Sequence, residues 1–471
     1  MLKNNSLLSL TILYTLGNFT SKFLGFFLVF VLTFFLSKEE LGFYDLVLTS
    51  ISLFVPIVSL QIGDAAFRWL IENSKSLTIS MVFTNSIILY FILFLIFSFS
   101  ATIFYCIFDW EYYWIIFLII VMQCLYTFFR QLLRGMNKSK IFALSGVVFV
   151  FLYLFLAGIS LYLFENKILS VLISYLIATT SIVIILFLKE QLWVYFQLSL
   201  YSKEISLELL KYSIPLLPNS LSWWAISSVN RYLILFFLGV SYNGIFAIAF
   251  KIPTLLLLFV GVFQLAWQEK AISNYSSQYR DQYYSKIHDY FLRFIFSISV
   301  IVIIFNKLIL DLIVSENFFE AWKYTSLLLL SMIFSSLSGF YGIGYLSSKK
   351  TSGASTSTIS GALVTVVLSV LLIPSFELYG ASLAIVFGYL VTYIIRLYHS
   401  KKFFKIEINK AVFFKLFFLY VLVSAVSYWD FNYSFLFNLL IGLGFLIKIN
   451  ITEIRLIWSN RKIVTKRIWK N

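Results

Sequence analysis

LLSLTILYTLGNFTSKFLGFFLVFVLTFFL, residues 7–36, is an apolar run interrupted by one charge, Lys22. A helix that crosses a bilayer needs about 20 mostly apolar residues, and this stretch exceeds that. It is also longer than the roughly 7–15-residue core of a signal peptide, and no small-residue cleavage site follows it. It therefore reads as a retained first transmembrane helix. Working outward, the whole chain has the same character. Of 471 residues, 61% are hydrophobic and only 12% are charged, and the mean hydropathy is +0.93. A soluble domain would carry roughly a quarter charged residues. A barrel would alternate apolar and polar positions in segments of about 10 residues, and no such segments occur. The expected class is all-α, a polytopic membrane protein.

Apolar segments of spanning length follow one another to the C-terminus, and we count about fourteen. The first covers 8–36, the second 41–63, the seventh 211–239, the eighth 244–268 and the last 433–449. The polar breaks between them alternate in sign. Even breaks carry cations such as Arg134, Lys138 and Lys140, whereas odd breaks carry acids such as Glu39, Glu40, Glu165 and Glu377. Cytoplasmic loops of membrane proteins are enriched in Lys and Arg. Both termini are thus expected in the cytoplasm, as an even number of spans requires. The same bias accounts for most of the net charge of +15, so no nucleic-acid partner is expected. Cys106 and Cys124 lie in or beside apolar segments, with no CxxC and no His nearby. They read as small buried hydrophobes, and no metal site is expected.

Six spans in 1–200 and six in 201–405 share a rhythm. Gly42-Phe43-Tyr44 entering span two is echoed by Gly244-Ile245-Phe246 entering span eight, and Gln61 by Gln264. Both copies enter the membrane in the same orientation, which makes a parallel repeat of the kind transporters use. The expected organisation is an N-terminal lobe (1–200), a C-terminal lobe (201–405) and a last segment (406–471) with spans thirteen and fourteen and a basic cytoplasmic tail.

Charges inside spans are costly and face a bundle interior or a water-filled cavity. Lys22 lies mid-span on one stripe with Thr11, Thr15, Asn18 and Gly25; the bland alternative is a lysine snorkelling to a headgroup. Span two aligns Asp45, Thr49, Ser52, Pro56, Ser59 and Gly63, as either a cavity wall or a small-residue packing seam with a proline kink. Arg68 follows, to anchor at headgroups or to line the cavity. In span seven Arg231 shares a face with Ser220, Trp224, Ser227 and Ser228, after Pro215 and Pro218, which should bend the start of that helix. Span eight carries Lys251, with Pro253 nearby. Arg130, Arg134 and Arg396 read as snorkelling, and Lys307 as paired with Asp311 one turn on. The deep charges are cations in both halves. A cavity lined by Lys22, Arg231 and Lys251 would attract an anion, phosphate in particular. Asp45 and Asp64, near opposite ends of span two, are the candidates for coupling to H+ or Na+. No cofactor is expected.

GNFTSKFLGFFLVFVLT (17–33), LGFYDLVLTSISLFVPIVSLQIGDAAFRW (41–69), SVNRYLILFFLG (228–239), YNGIFAIAFKIP (242–253) and GFYGIGYLSSKKT (339–351) together resemble the Wzx-type polysaccharide flippases. These belong to the multidrug/oligosaccharidyl-lipid/polysaccharide exporter superfamily. The resemblance covers about residues 1–400. It implies two pseudo-symmetric six-helix lobes around a central cavity, plus two C-terminal helices. It also implies a place in the bacterial cytoplasmic membrane and an activity, moving an undecaprenyl-diphosphate-linked oligosaccharide from the cytoplasmic to the outer leaflet for capsule, O-antigen or exopolysaccharide. Related peptidoglycan-precursor flippases hold the diphosphate with cations of spans one, two and eight. Lys22, Arg68 and Lys251 stand in comparable places, with Arg231 added from the reading above and Asn18, Ser52, Ser59 and Asn230 as polar lining. Asn230 replaces an acid the family often has there. Membrane lipids are expected partners, with the pathway's polymerase and glycosyltransferases, around a monomer.

Two other classes compete. A drug/cation antiporter of the same superfamily would need a deep acid in the first lobe, where span one offers Lys22. A membrane glycosyltransferase, polymerase or acyltransferase would need catalytic groups. The only candidates are Glu39-Glu40 in a short outer loop and a His288-Asp289 dyad, which reads as part of a solvated interfacial helix. The chain is therefore expected not to be an enzyme, with no catalytic residues.

Overall fold

A computed structural model describes residues 20–21, 23–72, 76–108, 111–275, 277–347, 352–429 and 433–468. All regular structure among the described residues is helical, and eleven helices there are long and apolar enough to cross a membrane. The protein is a polytopic all-α membrane protein. Among the described residues eleven rather than about fourteen reach that length, for three reasons. The first span lies mostly outside the described residues and contributes there the helix α1 (Phe23–Thr33). The seventh is divided at Val229 into α9 (Leu217–Ser228) and α10 (Asn230–Phe237), though Val229 itself keeps helical angles (φ −57°, ψ −30°). The eleventh and twelfth form one run, α14 (Ser352–Ser400), interrupted at Glu377 with φ 48° and ψ −129°. The expected outer loop there is thus little more than one residue.

The chain divides into two compact units, Met1–Ile248 with Thr365–Ala381, and Ala249–Val364 with Ser382–Asn471. In the first unit, α2 (Lys38–Ser59) starts on a capping box. The Ser37 hydroxyl accepts from Glu40 N, and the Glu40 carboxylate accepts from Ser37 N at 2.8 Å. Two orphan donors of the first turn are thereby satisfied, and two acids face the positive end of the helix. Glu40, half of the tempting acidic pair, is thus a cap. The helix ends at Leu60 and Gln61, both left-handed (φ 45° and 54°). Non-glycine residues in that region cost on the order of 1 kcal/mol each. The chain then continues as α3 (Ile62–Glu72), so span two is broken beyond Pro56 rather than merely kinked.

The core of this unit lies between α2, α3, α4 (Ser76–Phe108), α5 (Tyr113–Gly135) and α7 (Lys167–Lys189), with α6 (Ser139–Leu163) packed on α7. Rings fill it: Tyr90 lies 4.9 Å from Phe128, and Phe83 stacks on Phe128 at 6.2 Å. The outward face of α4 leaves Phe91, Ile96, Phe99 and Ile107 more than half exposed, as suits a helix whose solvent is lipid. The polar break after α7 is no free loop. Buried Asn85 on α4 receives Ser202 N at 2.9 Å and donates to Leu200 O at 3.1 Å. Two 3-10 turns (Leu192–Tyr195, Leu198–Leu200) and α8 (Lys203–Ser213) are held against the bundle in this way.

In the second unit α12 (Arg280–Ile313) packs against α13 (Trp322–Ser347), α15 (Lys410–Tyr428) and α16 (Ser434–Ile468). Spans thirteen and fourteen therefore dock on span nine. Trp267 of α11 (Val240–Ser273) stacks on Phe340 at 4.4 Å. Two expectations fail here. Arg396 does not snorkel: it is 5% exposed and donates to Ser357 Oγ at 3.0 Å and Ser338 O at 3.1 Å. Lys307 lies over the Trp322 ring at 4.0 Å rather than on Asp311, an aromatic face being the nearer electron-rich partner.

Candidate functional site

The deepest described cation of the first unit is Arg231, on α10. That helix packs against α2, and the Arg231 side chain is 7% exposed. Its Nε lies 3.2 Å from Asp45 Oδ2, and the guanidinium also donates to Ser227 O one turn back. It stands 5.3 Å from the centroid of the Phe246 ring. Its own carbonyl accepts from Asn243 Nδ2 at 2.8 Å. Beside it Asn230, wholly buried, accepts from the Ser369 hydroxyl of α14. Asn230 Nδ2 and Asn243 Oδ1 are buried with no hydrogen-bond partner among the described residues. Such orphans are few in folded proteins, since each forfeits its hydration. Among the described residues the site therefore brings together a buried cation paired with a carboxylate, an unpartnered amide donor and an unpartnered amide acceptor.

From this centre the polar stripe of α2 is met along its length by α9 and α10. Ser50 Oγ and the Tyr232 hydroxyl lie 2.7 Å apart. Trp224 Nε1 donates to Thr49 O at 3.2 Å and to Ser52 Oγ at 3.1 Å. Gln61 Nε2 donates to Ser220 Oγ at 2.6 Å, just where α2 breaks. Numbers rise on one helix as they fall on the other, so α2 and α9 run antiparallel. The stripe is a packing seam in this conformation, and parting it would uncover the same groups as a polar wall.

The seam is closed at the start of α2 by α11. A Cβ on Gly42 would overlap the Val240 carbonyl oxygen, and a Cβ on Gly244 would overlap the Lys38 carbonyl oxygen. Each glycine meets the residue four before the other, so the contact is reciprocal. Only a residue without a Cβ lets two backbones approach so closely. The Ser241 hydroxyl donates to Glu39 Oε1 at 2.6 Å across this crossing. Glu39 is thus engaged as well, like Glu40.

The remaining expected residues fall as follows. Lys22 and Asn18 lie outside the described residues. Arg68 is exposed on α3. Lys251 belongs to the second unit, part-buried on α11. Ser59 is buried and accepts from Gln61 N at 3.3 Å. Asp64, on α3 and outside the membrane-length helices, accepts from Gln131 Nε2 at 2.6 Å. Burial raises its carboxyl above the usual carboxylate range, against the lowering effect of that bond. His288 is not solvated: it is 1% exposed, between aromatic rings, and its neighbour Asp289 accepts from Arg293 Nε at 2.7 Å. The Asp45–Arg231 pair and the Asn243 contact were not anticipated. Among the described residues no cluster of His, Cys, Asp and Glu could hold a metal ion.

The profile of a family described as polysaccharide biosynthesis protein matches residues 7–267, more than half of the chain. Among curated proteins no sequence matches. Several solved structures are similar. The lipid II flippase MurJ, in an inward closed conformation, superposes with a TM-score of 0.70 at 16% identity, over 95% of this chain and 100% of that one. An inward-facing multidrug resistance MATE family transporter of the MOP superfamily gives 0.66 at 14% identity, over 83% and 94%. A MOP superfamily transporter from Pyrococcus furiosus, described by a reversed polarity of its binding pocket, gives 0.58 at 14% identity, over 83% and 94%. At these identities the likeness establishes the fold.

Proposed function

This chain belongs to the polysaccharide biosynthesis protein family, and from that membership we propose that it flips an anionic lipid-linked oligosaccharide across the bacterial cytoplasmic membrane. The cargo we infer is an undecaprenyl-diphosphate-linked repeat unit for a surface polysaccharide, passed from glycosyltransferases inside to a polymerase outside. The observation that carries the reading is Arg231. A buried guanidinium whose only described carboxylate partner is Asp45 at 3.2 Å, flanked by an unpartnered amide donor, is equipped to take a diphosphate in place of that carboxylate. Charge-assisted contacts of Arg to phosphate are strong and bidentate. In the cargo-free state Asp45 occupies the anion's place. Arrival of the diphosphate displaces it, the α2–α9 seam loosens, and the cavity opens to the other side. Lys22, Arg68 and Lys251 supply further cations on the path. With several separated contacts, release stays feasible. Both termini lie in the cytoplasm.

The antiporter reading needs a free deep acid for a cationic drug. Asp45 is engaged by Arg231, which favours an anionic cargo. Enzymatic readings lose their candidates in the same way, since Glu39, Glu40 and Asp289 each hold a structural partner.

Export tests the proposal. Arg231→Gln, at normal protein levels, is expected to abolish surface polysaccharide and to leave lipid-linked repeat units on the inner leaflet, while Arg231→Lys retains part of the activity. Wild-type polysaccharide from Arg231→Gln would overturn it.

A further inference from the structure

The second unit buries an imidazole that the anion site does not use. His288 lies near the start of α12 and is 1% exposed. Its ring meets Phe340 edge-on at 5.2 Å and Tyr341 at 5.5 Å, both on α13. Phe340 is itself stacked between Phe291 (5.5 Å) and Trp267 of α11 (4.4 Å). His288 Nε2 and the Tyr341 hydroxyl are both buried with no hydrogen-bond partner among the described residues. Two orphaned polar atoms, on side chains from two helices that touch, mark a place where something small and polar belongs.

The charged and titratable groups around it are few. On α12 itself stand Asp289, bound to Arg293 through one oxygen with the other buried and unpartnered, and Tyr284, whose hydroxyl donates to Ala271 O. From α13 comes Tyr341. From α14 come Tyr393, 5.8 Å from the Tyr341 ring, and Arg396, which lies against Gly342. From α11, Trp267 stacks on Phe340, the ring that the imidazole meets edge-on, and does not titrate. Arg293 is turned away, toward Ile449 O of α16 at 2.7 Å.

Imidazole changes charge in the range of about pH 5–8, where a membrane proton gradient operates. Neutral, it is tolerated between the rings. Protonated, it places a cation where Nε2 has no hydrogen-bond partner among the described residues, and a buried unpaired charge is expensive. Proton uptake therefore favours a conformation in which α12 and α13 part enough to hydrate Nε2. We propose that His288 is a proton-binding site that links the packing of α12 against α13 to pH. Its use to drive transport rests on the flippase reading; the linkage itself does not.

The chain has two histidines, so His399→Gln leaves His288 as the sole imidazole. Full-length H399Q protein in lipid nanodiscs, without cargo, is compared with the H288Q/H399Q variant by hydrogen–deuterium exchange of α12 and α13 from pH 8 to pH 5. Opening linked to one proton changes by up to about tenfold per pH unit. The ratio of exchange rates between the two proteins is expected to rise as pH falls. A ratio that does not change with pH overturns the proposal and leaves a trapped water as the occupant. A parallel NMR titration of the single imidazole keeps the test decisive if the double variant is unstable: a ring that does not titrate between pH 4 and 9 also overturns it. Because no cargo is present, a negative result here is separate from failure of the Arg231 export test.

Discussion

Arg231 and Asp45 are buried to 7% and 14% side-chain exposure, which separates two roles that a single substitution would confuse. Removing one member of a buried pair leaves the other charged and unpaired, at a cost of about 3–5 kcal/mol. Asp45→Ala and Arg231→Ala should each lower the melting temperature. The double variant should recover much of the loss, with a coupling of about 0.5–3 kcal/mol in a double-mutant cycle. Export should not recover, because the double variant still lacks the guanidinium. Recovery of both would make the pair a purely structural bridge. Arg231 was legible in the sequence because a cation in an apolar run has no topological reason to be there. Asp45 was legible as part of a polar stripe, but not as its partner. The two are 186 residues apart, and helical periodicity says which face a residue occupies, not which distant helix meets that face.

At the scale of elements, α2 is the helix on which the site depends. Its seam with α9 and its crossing with α11 must both yield if the polar stripe is to be uncovered. Glu39 and Ser241 meet at their side-chain tips, 2.6 Å apart, which puts the two positions within reach of a short linker. E39C/S241C is expected to be bridged by a short, reducible thiol cross-linker and to stop export until reduced; full export with the bridge formed would show that this crossing need not open. Gly42→Ala or Gly244→Ala, by forcing a Cβ into a carbonyl, should reduce cross-linking yield in that background. The turn entering each helix was visible as a repeated Gly-aromatic motif. That the two copies pack on each other was not, since the motif records a local need for glycine and not its cause. Pro215 and Pro218 mark the start of α9 and not its join to α10 at Val229, which keeps helical angles, and neither the interruption at Glu377 nor the left-handed Leu60–Gln61 pair carries a glycine to announce it.

For the molecule as a whole, the bilayer made the sequence readable: a chain that must satisfy its backbone in hydrocarbon has only helices or a closed barrel open to it. Alternating charge then supplied an orientation that can be checked directly. In an otherwise cysteine-free background, E165C should react with a membrane-impermeant maleimide on intact cells and K401C only after the membrane is broken; both positions are exposed. The reverse pattern would invert the topology. The reciprocal glycines bear on the chain's ancestry. If the two halves descend from one duplicated ancestor, drift is free to erase their likeness wherever each half packs only on itself. It is not free where the copies press backbone to backbone, because a substitution in either collides with the other. Gly42 and Gly244 are therefore expected to persist as matching columns in relatives whose remaining positions have diverged, a fossil of the duplication preserved by steric necessity.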